Sequence, residues 1–435
     1  MAVNNPAGGA TFLDNNAVKN AMSAYNIENL IQDIIAVEGF GVTSEYVSDM
    51  NVKSVDIPSL LMPAAGQTRE LGNGLFNGSA YNANNTATGV VDLADDIYTV
   101  NLTYVWDRTQ SASRFKSDLA GKRDLEGWTS KNITKAITLE INTSTLAKQL
   151  ISGMVLAVMY NKDGSAKSAG DQATALANQV FQFDPTKIGP MNIDNTSAVP
   201  VFMQANTALS NGDPSYFLGV VPAGERQGFI RGGLWYALKA SNAITNADIG
   251  LMQQFTGFIN PFTQAEGRRV NTTTGEIGVI DGVLCSFVTD YIWNGVYKSM
   301  NSTTNKPTNW FGLSSYVATA GSPTATETAN LNAIAMFDKV QGIITAAAGT
   351  YRGIAVQDEI TVVQDNYNPG TRLNIQGVAR WGVETLVPPS VKVIVNAAVA
   401  LSNVTSAAQY LPQKAVIIAG VAGTIPTVIA PAGIN

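Results

Sequence analysis

The first thirteen residues are small and polar and include Pro6, Gly8 and Gly9, a pattern that predicts an extended arm with little packing of its own. Apolar residues then recur at helical spacing, at Val18, Met22, Tyr25, Leu30, Ile31, Ile34 and Ile35. Asp14 is placed to cap this helix, and Gly39 and Gly41 to end it. The stripe suits packing on its own domain and on a neighbour equally. From Val52 to Trp106 the period shortens. Val52, Val55 and Ile57 lead outward and TVNLTYVW at 99–106 leads back. Between them GNGLFNGSAYNANNTATG is too polar to build a core. A long two-stranded projection is predicted, resting on something other than itself, because isolated hairpins are marginal in water.

Helical spacing returns over Thr129–Tyr160, where Ile133, Ile137, Ile141, Leu146, Leu150, Met154 and Val158 form a drifting stripe. Its centre, INTSTL, is a poor helix former, so a kink or break is expected there. Lys162–Ala169 reads as a polar loop and Ala173–Gln182 as a short helix. Beyond Ser197 strands and helices alternate. A strand at Tyr216–Val221 ends at Pro222, a helix spans Glu225–Ala240, and GEIGVIDGVLCSFVTD at 275–290 forms a hairpin. Loops at Asn301–Pro307 and Thr319–Thr328 precede a helix at Leu331–Ala347 and a strand at Ile360–Gln364. LNIQGVARWGVETLVPPSVKVIV at 373–395 reads as two strands joined at Pro388 and Pro389. Short apolar strands are expected from Ala407 to Asn435. No fixed-period repeat is visible, which argues against solenoids and propellers.

Composition changes this picture in one respect. Only 14% of the 435 residues are charged while 45% are hydrophobic, against about 25% charged in ordinary soluble chains. Asn, Gln, Ser, Thr and Gly must cover the surface. That coat suits neutral polar surface buried against other subunits, or a secreted β-rich protein. The net charge of −6 lacks the concentrated positive charge of a dedicated nucleic-acid binder. The one locally basic stretch carries Arg108, Arg114, Lys116, Lys122, Arg123, Lys131 and Lys135 among Asp107, Asp118, Asp124 and Glu126. No run reaches 18 apolar residues, and Met1–Thr11 lacks the basic start and apolar centre of a signal peptide. A soluble chain made in the cytoplasm, with no membrane partner, is the expectation.

The absence of histidine excludes Ser-His-Asp and Cys-His catalysis and the usual zinc sites. Carboxylate chemistry survives in principle at Asp92, Asp95, Asp96, Asp358 and Glu359, each read as an exposed strand-end or turn residue. No phosphate-loop string exists, and Gly72, Gly74 and Gly78 suit a hairpin tip better than a dinucleotide site. The single cysteine, Cys285, lies in an apolar strand and reads as a small buried hydrophobe. No catalytic, cofactor or metal residue is assigned.

The order arm, projection, long helix, alternating domain and returning strands resembles the tailed-bacteriophage major capsid proteins of the Hong Kong 97-type, or Johnson, fold. Two stretches carry the likeness most: GEIGVIDGVLCSFVTD, similar to the family's axial hairpin, and RWGVETLVPPSVKVIV, similar to its closing strands. The resemblance implies an α+β fold with an N-terminal arm at 1–45, an extended loop at 46–110, and a peripheral domain with its spine helix at 111–199. The axial domain would follow at 200–355, and the return with a C-terminal extension at 356–435. It implies a non-enzymatic shell subunit of the virion capsid, assembled in the host cytoplasm into hexamers and pentamers around double-stranded DNA touched non-specifically. Portal, scaffold and decoration proteins are the implied partners, and a chain starting at Met1 is expected to have lost no large scaffolding segment. Inter-subunit contacts are expected at Arg69 and between Asp92, Asp95, Asp96 and a neighbour's Arg114, Lys122 and Arg123. Family members that cross-link use an extended-loop lysine, and none lies between Lys53 and Lys116. Encapsulin-like shells share the fold, while a secreted β-rich carbohydrate-binding or adhesive protein is the alternative from another class.

Overall fold

A computed structural model describes residues 43–47, 54–60, 95–113, 125–161, 164–188, 194–211, 226–240, 276–297, 310–313, 315, 322–346, 350–356, 361–364, 372–385 and 387–415. The expected helix at 14–38, the tip of the projection and the strand at 216–221 lie outside these residues. The strands are β1 (Thr43–Val47), β2 (Ser54–Leu60), β3 (Asp95–Asn101), β4 (Tyr104–Ser113), β5 (Val180–Gln182), β6 (Arg226–Ile230), β7 (Glu276–Ile280), β8 (Val283–Phe287), β9 (Val340–Ala346), β10 (Thr350–Val356), β11 (Thr361–Gln364), β12 (Arg372–Thr385) and β13 (Val391–Val395). The helices are α1 (Leu125–Ile151), α2 (Ala169–Gln179), α3 (Ala198–Asn211), α4 (Gly232–Ala240), α5 (Asp290–Tyr297), α6 (Ala325–Asp338) and α7 (Leu401–Ala415).

Six strands form one mixed sheet in the order β5-β13-β9-β6-β8-β7. Alternation of side chains divides it between two cores. Phe229, Ile343, Val391, Val393 and Val395 meet α1, α5, α6 and α7 on one face. Ile230, Val283, Cys285, Ile344 and Ile394 meet α3 and α4 on the other. A second sheet runs β1-β10-β12-β11, with β4 on the opposite edge of the 14-residue β12. Its Ala379, Trp381 and Val383 pack on Ile137 and Ile141 of α1. Helix α1 therefore lies between the two sheets, and every residue from Ile141 to Val155 is buried.

The expected break at INTSTL is not there. Thr143, Ser144 and Thr145 donate their hydroxyls at 2.7 Å to the carbonyls of Leu139, Ile141 and Ile141, so their hydrogen bonding is met within the helix. The irregularity falls later, where Ser152–Leu156 widens into a π-turn against β13 and the Pro388–Ser390 turn.

Five other elements differ from expectation. TVNLTYVW is not one strand: Asp95–Asn101 pairs with β2, whereas Tyr104–Ser113 pairs with β12. The helix expected at Glu225–Ala240 begins only at Gly232. Arg226–Ile230 is a strand between β8 and β9, which satisfy its two edges. The helix expected at Leu331–Ala347 starts earlier, at Ala325, under a Thr324–Glu327 capping box, and stops at Asp338. VQGIITA then runs as the fully buried β9, where branched Val340, Ile343, Ile344 and Thr345 suit a strand paired on both sides. Of the short strands expected from Ala407 to Asn435, the described part is instead the end of a helix, Leu401–Ala415, because Val404, Ala407, Ala408 and Leu411 keep helical spacing and are buried, and 416–435 lie outside the described residues. The short helix expected at Ala173–Gln182 spans Ala169–Gln179, and its last residues form β5. The hairpin at 276–287 is found as expected, with Asp281 at φ 50° and Gly282 at φ 77° in its two-residue turn.

Candidate functional site

Two features stand apart from ordinary core packing. One is the seam between α1 and the second sheet. Ile137, Ile141, Ser144 and Lys148 recur on α1 at intervals of three and four, and this stripe faces β12. Trp381 Nε1 donates to Ser144 Oγ at 3.0 Å, and Tyr104 and Trp310 pack around it with ring centroids at 5.8 and 6.1 Å. Beside this aromatic group lies an ion pair, Lys148 Nζ to Glu384 Oε1 at 3.8 Å, with side chains 8% and 4% exposed.

The pair is too long for a hydrogen bond between those two atoms, and Glu384 Oε1 accepts none among the described residues. Burial pushes the Glu384 carboxyl up to about 7, only partly countered by Lys148. Burial opposes the Lys148 charge, but Glu384 and Tyr104 together hold its ammonium above the ordinary lysine value. Glu140, one turn before Ser144, is also raised by burial, against a hydrogen bond from Trp310. None of these three was singled out from the sequence. The available signal was a charged side chain inside an apolar run, as in TLEI, LAKQL and VETLV, within a chain poor in charge.

The second feature is the β2–β3 ribbon, which belongs to neither large sheet. Its register runs from Ser54↔Asn101 to Leu60↔Asp95. Its base is anchored: Val100 and Leu102 are buried, and Arg380 Nε donates to the Leu102 carbonyl at 2.8 Å.

Of the residues expected at subunit contacts, Asp95 and Asp96 are the first two residues of β3, opposite Leu60 and Ser59. Arg69, Asp92, Arg114, Lys122 and Arg123 lie outside the described residues, as do Asp358 and Glu359. Cys285 is fully buried, and burial pushes its thiol up, away from reactivity. Among the described residues no group of three or more Cys, Asp or Glu side chains could hold a metal. No helix among them is long and apolar enough to cross a membrane.

No protein-family model matches the sequence, and no curated protein does so either. Among solved structures the chain is similar to the capsid of the cyanophage P-SCSP1u, at 11% identity and a TM-score of 0.43, covering 82% of this chain and 86% of that one. It is similar to the head structure of the Helicobacter pylori bacteriophage KHP40, at 10% identity and a TM-score of 0.43, over 83% and 90% of the two chains. The mature capsid of bacteriophage PhiM1 gives 12% identity and a TM-score of 0.40, over 82% and 86%.

Proposed function

We propose that this chain is a major capsid protein of the Hong Kong 97 type, which self-assembles into the icosahedral shell around packaged viral double-stranded DNA. The observation that carries the reading is the β2–β3 ribbon, paired with neither sheet and held at its base. A two-stranded ribbon is marginal in water by itself, so its outer part needs another surface. A second copy of the chain supplies it. The low charge supports the same reading, because a subunit that buries much of its surface against neighbours needs few charges to stay soluble.

In this reading the ribbon and the residues between its strands are the extended loop at 46–110. Helix α1 is the spine of a peripheral domain at 111–199, residues 200–355 form the axial domain, and 356–435 return to the periphery. Closed rings of six and five subunits make the shell. Portal, scaffold and decoration proteins are its partners during assembly in the host cytoplasm. Asp92, Asp95 and Asp96 meet Arg114, Lys122 and Arg123 of a neighbour. Each such surface pair is worth about 0–1 kcal/mol, so only a repeated network matters. Reversing Asp95 and Asp96 is expected to weaken assembly, and reversing the basic set as well to restore it. A double reversal no better than either single one would remove this contact from the proposal.

The decisive experiment is negative-stain microscopy with size-exclusion chromatography of the full chain. Megadalton closed particles are expected. A protein that stays monomeric or low-order at all concentrations would overturn the reading, and enzyme cargo in place of DNA in native particles would make the shell an encapsulin-like one.

A further inference from the structure

Between the end of β3 at Asn101 and the start of β4 at Tyr104 there are two residues, Leu102 and Thr103, yet the two strands belong to different sheets. A link this short would be soft if it stood in solvent, since it has few backbone hydrogen bonds of its own. Here it is folded tightly, with Thr103 N donating to Asn101 O at 3.0 Å, and Leu102 is 1% exposed. Two residues of β12 sit directly beneath it. Arg380 and Gly382 are two apart and so share one face of the strand. Arg380 Nε holds the Leu102 carbonyl at 2.8 Å. At Gly382 the link comes so close that an added Cβ would stand 1.9 Å from Asn101 O, 2.7 Å from Asn101 C and 3.2 Å from Leu102 Cα. The residue opposite Gly382 on β10 is also a glycine, Gly353, so the sheet offers a patch without Cβ atoms where the ribbon crosses it.

We propose that Gly382 and Arg380 form a seat that sets the angle at which the β2–β3 ribbon leaves the body, Gly382 by allowing contact and Arg380 by pinning Leu102. They are positioning residues: they act on the reach of the ribbon through residues 101–103 and need not touch a neighbouring copy themselves. Their importance for assembly rests on the capsid reading, whereas the seat itself does not.

The two are separated by measuring the angle in the dissociated full-length subunit. Cysteines introduced at Ser59 on β2 and at the exposed Gln409 on α7 take spin labels, while the buried native Cys285 stays unlabelled under native conditions. Pulsed electron resonance of the parent is expected to give one narrow distance distribution. In Gly382→Ala and Arg380→Gln its maximum should shift or its width grow, with the cooperative thermal transition of the body retained. Should Gly382→Ala fail to fold, Arg380→Gln, which removes one donor without adding bulk, carries the test. Unchanged distributions in the folded variants would overturn the seat. Changed distributions with normal particles would keep the seat and count against the ribbon as the assembly element.

Discussion

At Glu384 the folded chain holds a buried carboxyl group, facing the buried Lys148, that changes protonation near neutral pH. Its folded pKa, about 7, lies above the ordinary carboxylate value, so the folded state binds this proton more tightly than the unfolded chain does. The stabilisation from that proton is fully present below the unfolded pKa and is lost as pH rises through about 7. Relative to Glu384→Gln, the parent is therefore expected to gain stability on acidification from neutral pH toward the ordinary carboxylate range, by at most about 1.4 kcal/mol per pH unit. Urea unfolding at several pH values measures this, and parallel profiles for parent and variant would remove Glu384 as the source. Lys148→Met should be most harmful above neutral pH, where it leaves a charged carboxylate buried without its partner, a cost of about 3–5 kcal/mol for pairs of this kind. The same denaturation series reads it, and a loss that does not grow with pH would show that Lys148 acts through packing alone.

At the scale of elements, the 276–287 hairpin shows local and tertiary instructions agreeing. Its Asp281–Gly282 turn needs both residues at positive φ. Asn206 of α3 reinforces it, donating Nδ2 at 2.8 Å to both the carbonyl and the carboxylate of Asp281. Gly282→Ala is expected to cost about 1 kcal/mol from the left-handed backbone alone, read as a lowered denaturation midpoint with unchanged slope. An unchanged midpoint would mean that the turn relaxes to another type. The hairpin was legible in the sequence because Asp-Gly between two alternating runs is a local signal. Strand β9 was not, because VQGIITA after a genuine helix offers no punctuation beyond Lys339. What makes it a strand is the presence of β6 and β13 on either side.

In the molecule as a whole, the long helix α1 is buried between two sheets, and the ribbon rests against β12 and β10 of the second sheet. Deleting 66–89 is expected to leave a folded, soluble subunit that forms no shells, because that segment is too polar to serve the subunit's own core. Normal particles from the deletion would rule out the extended loop as an assembly element. Particles boiled in detergent should run as one band near 45.9 kDa, since no lysine lies between 53 and 116 and the guanidinium of Arg69 stays protonated and is a poor nucleophile. A ladder of oligomers under reducing conditions would contradict this. The long helix, the closing strands around Pro388 and Pro389, the buried cysteine and the lack of histidine chemistry are all legible in the sequence. Each follows from residue type or from periodicity within one segment. That INTSTL stays helical, that TVNLTYVW divides between two sheets and that Lys148 meets Glu384 are not legible there. The physical reason is the same in each case: hydrogen-bond partners and burial come from residues far away in the chain, Trp381 for Ser144, β12 for β4, and the seam between helix and sheet for the charge pair.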